Sequence, residues 1–181
     1  MKTIAFLRGI NVSGKRLLPM AELKQLLTKL GATEIVTYIQ SGNVVFTQPK
    51  SKTKAITPEK LSLAIQQQFS FDVPIAMRNS DQLQALITNA KVKKLIAHQG
   101  DDSKLHVTFL SPQQTIQQLE VLNTTDAGED TWVEAEGEIV LNCPNGYGNT
   151  KLTNTLIERK LKVQATTRNW KTVNEMIRLA Q

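Results

Sequence analysis

The chain has 181 residues, 40% apolar and 21% charged, which suits one ordinary or two small globular domains and excludes a disordered or membrane-spanning polypeptide. Its formal charge of +6 belongs entirely to residues 1–90, where eleven Lys/Arg face five Asp/Glu, while residues 91–181 carry eleven of each. Cys143 is the only cysteine, so an internal disulfide and a thiolate metal cage are excluded, and a reducing cytoplasm is the expected location.

Lys2 to Leu7 reads as a strand, and no signal peptide is expected, because only Ile4 to Leu7 run apolar before Arg8. After a loop from Arg8 to Leu18, Pro19 suits a first helical position. Met20, Leu23, Leu26, Leu27 and Leu30 follow at helical spacing, and Gly31 suits the helix end. Ile35 to Ile39 and Val44 to Thr47 form a hairpin around Ser41 and Gly42. Thr57 and Pro58 open a second helix with Leu61, Ala64, Ile65 and Phe69 on its apolar stripe. A fourth strand is expected over Val73 to Met77, then a short helix from about Asp81.

The second half repeats the plan. Leu105 to Leu110 is a strand, and Ser111, Pro112 and Gln114 suggest a capping-box helix start. Thr131 to Glu136 and Ile139 to Cys143 form a hairpin, and a helix follows from about Thr150 to Leu161. A short strand near Val163 to Thr167 precedes a last helix with Val173, Met176, Ile177 and Ala180. The expected fold is α+β: two tandem ferredoxin-like βαββαβ halves, each with an antiparallel sheet in the order 4-1-3-2. Pro74, read as part of strand four, supports an edge position there. The halves are residues 1–90 and 105–181, joined by a polar linker over 91–104. Two echoes suggest duplication: Phe6 and Leu7 match Phe109 and Leu110, and Arg78 and Asn79 match Arg168 and Asn169.

Several motifs imitate catalytic ones. Gly9 to Lys15 fits the letters GxxxxGK of a phosphate-binding loop, but Arg16 stands where a magnesium-binding Ser or Thr is required. Pro19 also delays the helix. A nucleoside triphosphatase is therefore rejected, while anion binding by the same loop, through backbone N–H groups with Arg8 and Lys15, remains. Ser41 has no suitably placed histidine and reads as a turn residue. Of the clustered carboxylates Glu134, Glu136 and Glu138, the first two share the face opposite Val133 and Ala135 and read as a solvated strand face, and Cys143 reads as a small buried residue. The strand Asn43 to Thr47 lacks the aromatic motif of RNA-recognition domains. No metal site and no cofactor are expected.

The segments FLRGINVSGK…PMAELKQLL…LG…VTYIQSGNVVF and YGNTKLTN…ERKL…TTRNWKTV closely resemble bacterial proteins of the domain-of-unknown-function family 1697 (DUF1697). The resemblance spans nearly the whole chain and implies a cytoplasmic protein of two ferredoxin-like subdomains. It implies no activity, ligand or catalytic residue. Ser13 stands where the family pattern has a second glycine.

The basic first half suggests an anionic partner, nucleic acid or a phosphorylated small molecule, against the plainer alternative of a solvated basic surface. An enzyme acting on a small anionic metabolite and a protein-interaction module are the rival readings. Topology places Arg8, Asn11 and Lys15 beside Gln40, Ser41 and Asn43, and gathers Asn145, Tyr147 and Lys151 near Thr167, Arg168 and Asn169. These clusters are the candidate ligand-binding residues, expected to line a polar cleft at the junction of the halves. The plainer reading is that the asparagines cap turns and helices while the arginines bind carbonyls.

Overall fold

Short apolar runs, buried on both faces in the central strands, build two sheets in the computed structural model, which describes residues 2–99 and 102–181. The chain divides into unit 1, residues 1–80 with 176–181, and unit 2, residues 81–175. Unit 1 has twelve Lys/Arg against four Asp/Glu, and unit 2 has ten against twelve. Among the described residues, no helix is long and apolar enough to cross a membrane.

Unit 1 runs β1 (Lys2–Leu7), α1 (Met20–Lys29), β2 (Thr33–Tyr38), β3 (Asn43–Thr47), α2 (Pro58–Phe69) and β4 (Ile75–Asn79). Its sheet is antiparallel in the order β2-β3-β1-β4, which read from the β4 edge is 4-1-3-2. Ala5, Leu7, Val44, Phe46 and Ile75 share one face and pack with Leu23 and Leu27 of α1 and Leu61 and Ile65 of α2. Each fully buried leucine there contributes roughly 1.5–3 kcal/mol of hydrophobic stabilisation. Ile4, Phe6, Val45 and Ala76, on the other face, are buried as well.

Helix ends follow local chemistry. Pro19 occupies the cap of α1, one position earlier than expected. At the far end Ala32 N–H bonds Leu27 O and Gly31 N–H bonds Thr28 O, a Schellman closure that uses Gly31 at φ +93°. Thr57 Oγ1 accepts Lys60 N–H at 3.2 Å, with Pro58 as first helical residue. Pro74 precedes β4 instead of lying in it, so β4 owes its edge position to pairing with β1 alone.

The segment after β4 holds α3 (Ser80–Thr88) and α4 (Ala90–Gln99). Helix α4 occupies most of the segment read from sequence as a linker, because Val92 supplies a fully buried anchor among its lysines. Residues 100 and 101 of that linker lie outside the described residues. Unit 2 continues with β5 (Leu105–Ser111), α5 (Ile116–Leu119), β6 (Thr131–Ala135), β7 (Glu138–Asn142), α6 (Asn154–Leu161), β8 (Gln164–Asn169) and α7 (Trp170–Leu179), which runs on past residue 175. Its antiparallel sheet has the order β6-β7-β5-β8. Leu110, Ile139, Leu141 and Ala165 pack with Leu119 and Ile157 from the helices. The capping box expected at Ser111 and Gln114 stands instead at Thr115 and Gln118, where Gln118 Oε1 accepts Thr115 N–H at 2.8 Å.

Equivalent rows cross the two sheets. Ile4 lies between Val45 and Arg78, and Val107 lies between Val140 and Arg168. Each arginine donates to the carbonyl of the residue before it, Arg78 to Met77 at 2.6 Å and Arg168 to Thr167 at 2.9 Å.

Candidate functional site

The loop leaving β1 is held by its own backbone geometry. Gly9, Asn11, Ser13, Gly14 and Arg16 all have positive φ, between +49° and +71°. Ser13 and Gly14 form the centre of a two-residue turn closed by Lys15 N–H to Val12 O at 2.9 Å. Two positive φ values at the centre match a type I′ turn, which Ser13 enters at more cost than a glycine would. Asn11 then fastens the loop. Its Oδ1 accepts Leu18 N–H at 2.8 Å, and its Nδ2 donates to Leu18 O at 3.0 Å and Gln40 O at 2.8 Å. Lys15 and Arg16 are exposed at the tip, beside the exposed apolar Val12 and Leu17. Helix α1 starts at Met20, so Gly14 and Lys15 do not open a helix as a nucleotide-binding loop would require.

The facing turn is equally constrained. Gly42, at φ +77°, accepts Leu7 N–H at 2.8 Å. A Cβ there would stand 2.7 Å from Leu7 Cβ and 2.8 Å from Ile10 Cδ1. Asn43 is fully buried and donates to Tyr38 O at 3.2 Å and Ser41 Oγ at 2.8 Å. The half-buried Arg8 donates its backbone N–H to Pro74 O at 2.9 Å. The Asn11–Gln40 bond therefore brings the loop of Arg8, Asn11 and Lys15 against the turn of Gln40, Ser41 and Asn43. Within this group Asn11, Ser41 and Asn43 bind the protein itself, while Lys15 points its charge to solvent. Sequence reasoning missed Arg16, whose only signal was its misfit at the magnesium position. It also missed the exposed Val12, Leu17 and Ile39.

The second cluster gathers at the edge of its sheet where β5 begins. Asn145 Nδ2 donates to the Glu129 carboxylate at 2.8 Å, and Lys151 pairs with Asp126, which holds that carboxyl below its usual range. Thr167 Oγ1 lies 2.8 Å from Thr108 Oγ1 and donates to Asn154 Oδ1 at 2.7 Å, so Thr108 is the donor to Thr167. Burial pushes the Arg168 guanidinium down to about 10. Asn169 Oδ1 accepts Thr172 N–H at 2.8 Å and caps the start of α7. Tyr147 stacks on His106, with ring centroids 4.9 Å apart and an interplanar angle of 22°.

His106 is the residue that sequence reasoning passed over here. Its Nδ1 lies 3.1 Å from Lys104 O, and a carbonyl only accepts, so Nδ1 carries the proton in the neutral ring. Burial lowers the His106 pKa, against the opposing pull of the Lys104 carbonyl and Asp130. Cys143 is buried, and burial followed by the Asp130 charge pushes its thiol up to about 11.

Glu134 and Glu136 do not share one solvated strand face, since Glu136 lies beyond the end of β6, and Glu138 is buried. Glu138 is 1% exposed and accepts Leu110 N–H at 2.6 Å, because it turns into the sheet next to the buried central strand. Glu136 lies in the turn after β6 at φ +54° and accepts from Asn89 Nδ2 at 3.2 Å. Glu134 pairs with Lys91 at 2.7 Å. Among the described residues, no group of three or more His, Cys, Asp or Glu side chains is arranged to hold a metal ion.

A family model described as "Protein of unknown function (DUF1697)" matches residues 1–139. Residues 140–181, which hold the second sequence signature, lie outside that match. Among solved structures, a conserved bacterial protein from Streptococcus pneumoniae is similar with a TM-score of 0.78 at 23% identity, over 99% of this chain and 98% of that one. This likeness is one of fold. No curated protein matches the chain.

Proposed function

The chain belongs to the DUF1697 family of proteins of unknown function, and from that premise we propose that it binds a phosphate-bearing anion, nucleic acid first, through the basic loop of unit 1. One observation carries this reading: Lys15 and Arg16 stand exposed on a loop whose backbone is already fixed by Asn11. A pre-ordered loop loses little entropy on binding, so its charges contribute more of their attraction to affinity. The surplus of twelve basic over four acidic residues in unit 1 supports attraction of a polyanion over a longer range. Arg8 adds a third cation beside the loop, and the half-buried amide of Asn11 and the buried amide of Asn43 position the whole.

Fluorescence anisotropy with labelled single-stranded RNA and DNA across a salt series tests the reading. Three cations on a single strand imply a slope of log affinity against log salt of about −2. Replacing Lys15 and Arg16 together with alanine should shrink that slope by about 1.4. A small phosphorylated metabolite would show a modest salt response and no length dependence. An unchanged slope in the double variant sinks the proposal. The exposed Val12, Leu17 and Ile39 favour a second reading, an interaction module for an acidic protein segment, which the same variant would weaken without any nucleic-acid binding.

Each half is further read as a ferredoxin-like unit descended from a duplicated ancestor, supported by the matching arginine rows and sheet orders. A cytoplasmic location remains the proposal, supported by the single buried thiol.

A further inference from the structure

Helix α4 and the edge strand β6, both in unit 2, enclose an open groove of about 410 Å³ lined by Lys91, Lys94, Leu95, His98 and Val133. The helix presents Lys91, Leu95 and His98 at i, i+4 and i+7, which places them on one side, with Lys94 next to them. Its start is fastened to the strand. Asn89 Nδ2 reaches Glu136 at 3.2 Å, Asn89 Oδ1 accepts Lys91 N–H at 3.0 Å, and Lys91 pairs with Glu134 at 2.7 Å. A separate, smaller pocket of about 250 Å³ shares Lys91 and Val133 and is lined as well by Ile116, Glu120, Asn123, Trp132 and Glu134.

Charge and shape select the occupant. Leu95 and Val133 form an apolar floor. Glu134 pairs with Lys91, whereas Lys94 forms no ion pair among the described residues. Among the described residues, the floor therefore meets one cation without an ion pair at its rim. Grooves of this size accept small molecules through apolar contact, with a few polar groups fixing orientation.

We propose that the groove between α4 and β6 binds a small carboxylate with an apolar body, its head against Lys94 and its body over Leu95 and Val133. A cationic head would meet Lys91 and Lys94, and a short anion would leave the apolar floor uncovered. This site goes beyond the anion site proposed for unit 1 and shares no residue with it.

Isothermal titration with octanoate, octylammonium and acetate on the full chain tests the assignment. Octanoate should bind at least tenfold more tightly than either of the others, since acetate lacks the body and octylammonium reverses the head charge. Lys94→Glu should weaken octanoate at least tenfold and Lys94→Arg should keep it, with both variants retaining the native circular dichroism. Lys24→Glu, the same charge change on α1, should leave octanoate binding unaltered. The inference is overturned if octanoate binds no better than acetate or octylammonium, if Lys94→Glu binds normally, or if Lys24→Glu loses as much.

Discussion

Replacing Gly42 with alanine tests whether the loop and turn of unit 1 are sterically locked. At φ +77° any residue with a Cβ incurs strain of about 1–2 kcal/mol. The new methyl would also stand 2.7 Å from Leu7 Cβ and 2.8 Å from Ile10 Cδ1, well inside the carbon–carbon optimum of about 3.5–4.0 Å. Leu7 lies on the central strand β1 and donates to Gly42 O at 2.8 Å, so it has little room to retreat. Overpacking of this kind costs about 1–3 kcal/mol. The sum is a loss of about 2–5 kcal/mol. Gly14→Ala supplies the control, because Gly14 has φ +71° but nothing within 4 Å of its would-be Cβ. It should lose only the backbone term of about 1–2 kcal/mol. Urea unfolding followed by circular dichroism reads both variants, and the extra loss in Gly42→Ala should lower the midpoint by about 1 M for each 1–3 kcal/mol. If Gly42→Ala is no less stable than Gly14→Ala, the steric lock does not exist.

Further outcomes follow from individual groups. Asn11→Ala deletes three hydrogen bonds to backbone and should cost about 2–3 kcal/mol, measured by the same urea titration. Its anion affinity should fall with it, and an equally stable variant would show that the loop does not depend on this amide. Cys143, with its thiol raised to about 11, should resist iodoacetamide at pH 8 in the native protein and react once the chain is unfolded; rapid native labelling read by mass spectrometry contradicts its burial. His106 has a folded pKa below its ordinary 6.5, so as pH falls the unfolded chain takes the proton first. Its contribution is present above about 6.5 and drains away as pH drops through the window between that value and the lower folded one. His106→Phe should flatten the pH dependence of stability across that window, and an unchanged slope refutes the assignment. Arg168→Ala should destabilise by about 1.5–3 kcal/mol in urea unfolding, because the buried guanidinium is bonded to Thr167 O. A loss below about 1 kcal/mol, the limit of an ordinary surface change, contradicts that structural role.

Periodicity carried the fold further than it carried the site. The continuous apolar run from Ile4 to Leu7 is a strong signal because β1 is buried on both faces, and the helical spacing of Leu23, Leu26 and Leu27 is strong because α1 buries one stripe. Helix α4 was hidden because Lys91, Lys93 and Lys94 dilute the single fully buried Val92, leaving a composition that reads as a loop. Pro74 was assigned to a strand because apolar neighbours flank it, although β4 begins only at Ile75.

The site was legible as a set of neighbours but not as a division of labour. Sequence order and strand pairing are enough to set the loop after β1 beside the turn before β3, which the Asn11–Gln40 bond realises. Whether an amide is spent on the protein depends on angles that no spacing encodes. Asn11, Asn43 and Asn169 all turned inward to backbone or hydroxyl partners, as their preference for left-handed and capping positions would favour. The cations divide by the same rule. Arg168 sits in a strand row beside Val107 and binds a carbonyl, whereas Lys15 and Arg16 sit past a type I′ turn, where the backbone satisfies itself through Lys15 N–H and Arg16 O. The backbone is paired at both places, so what separates them is that the loop tip is exposed while Arg168 is enclosed in its sheet row. Function in unit 1 is therefore argued from the charges this loop leaves over after closing on itself, and not from the polar residues that close it.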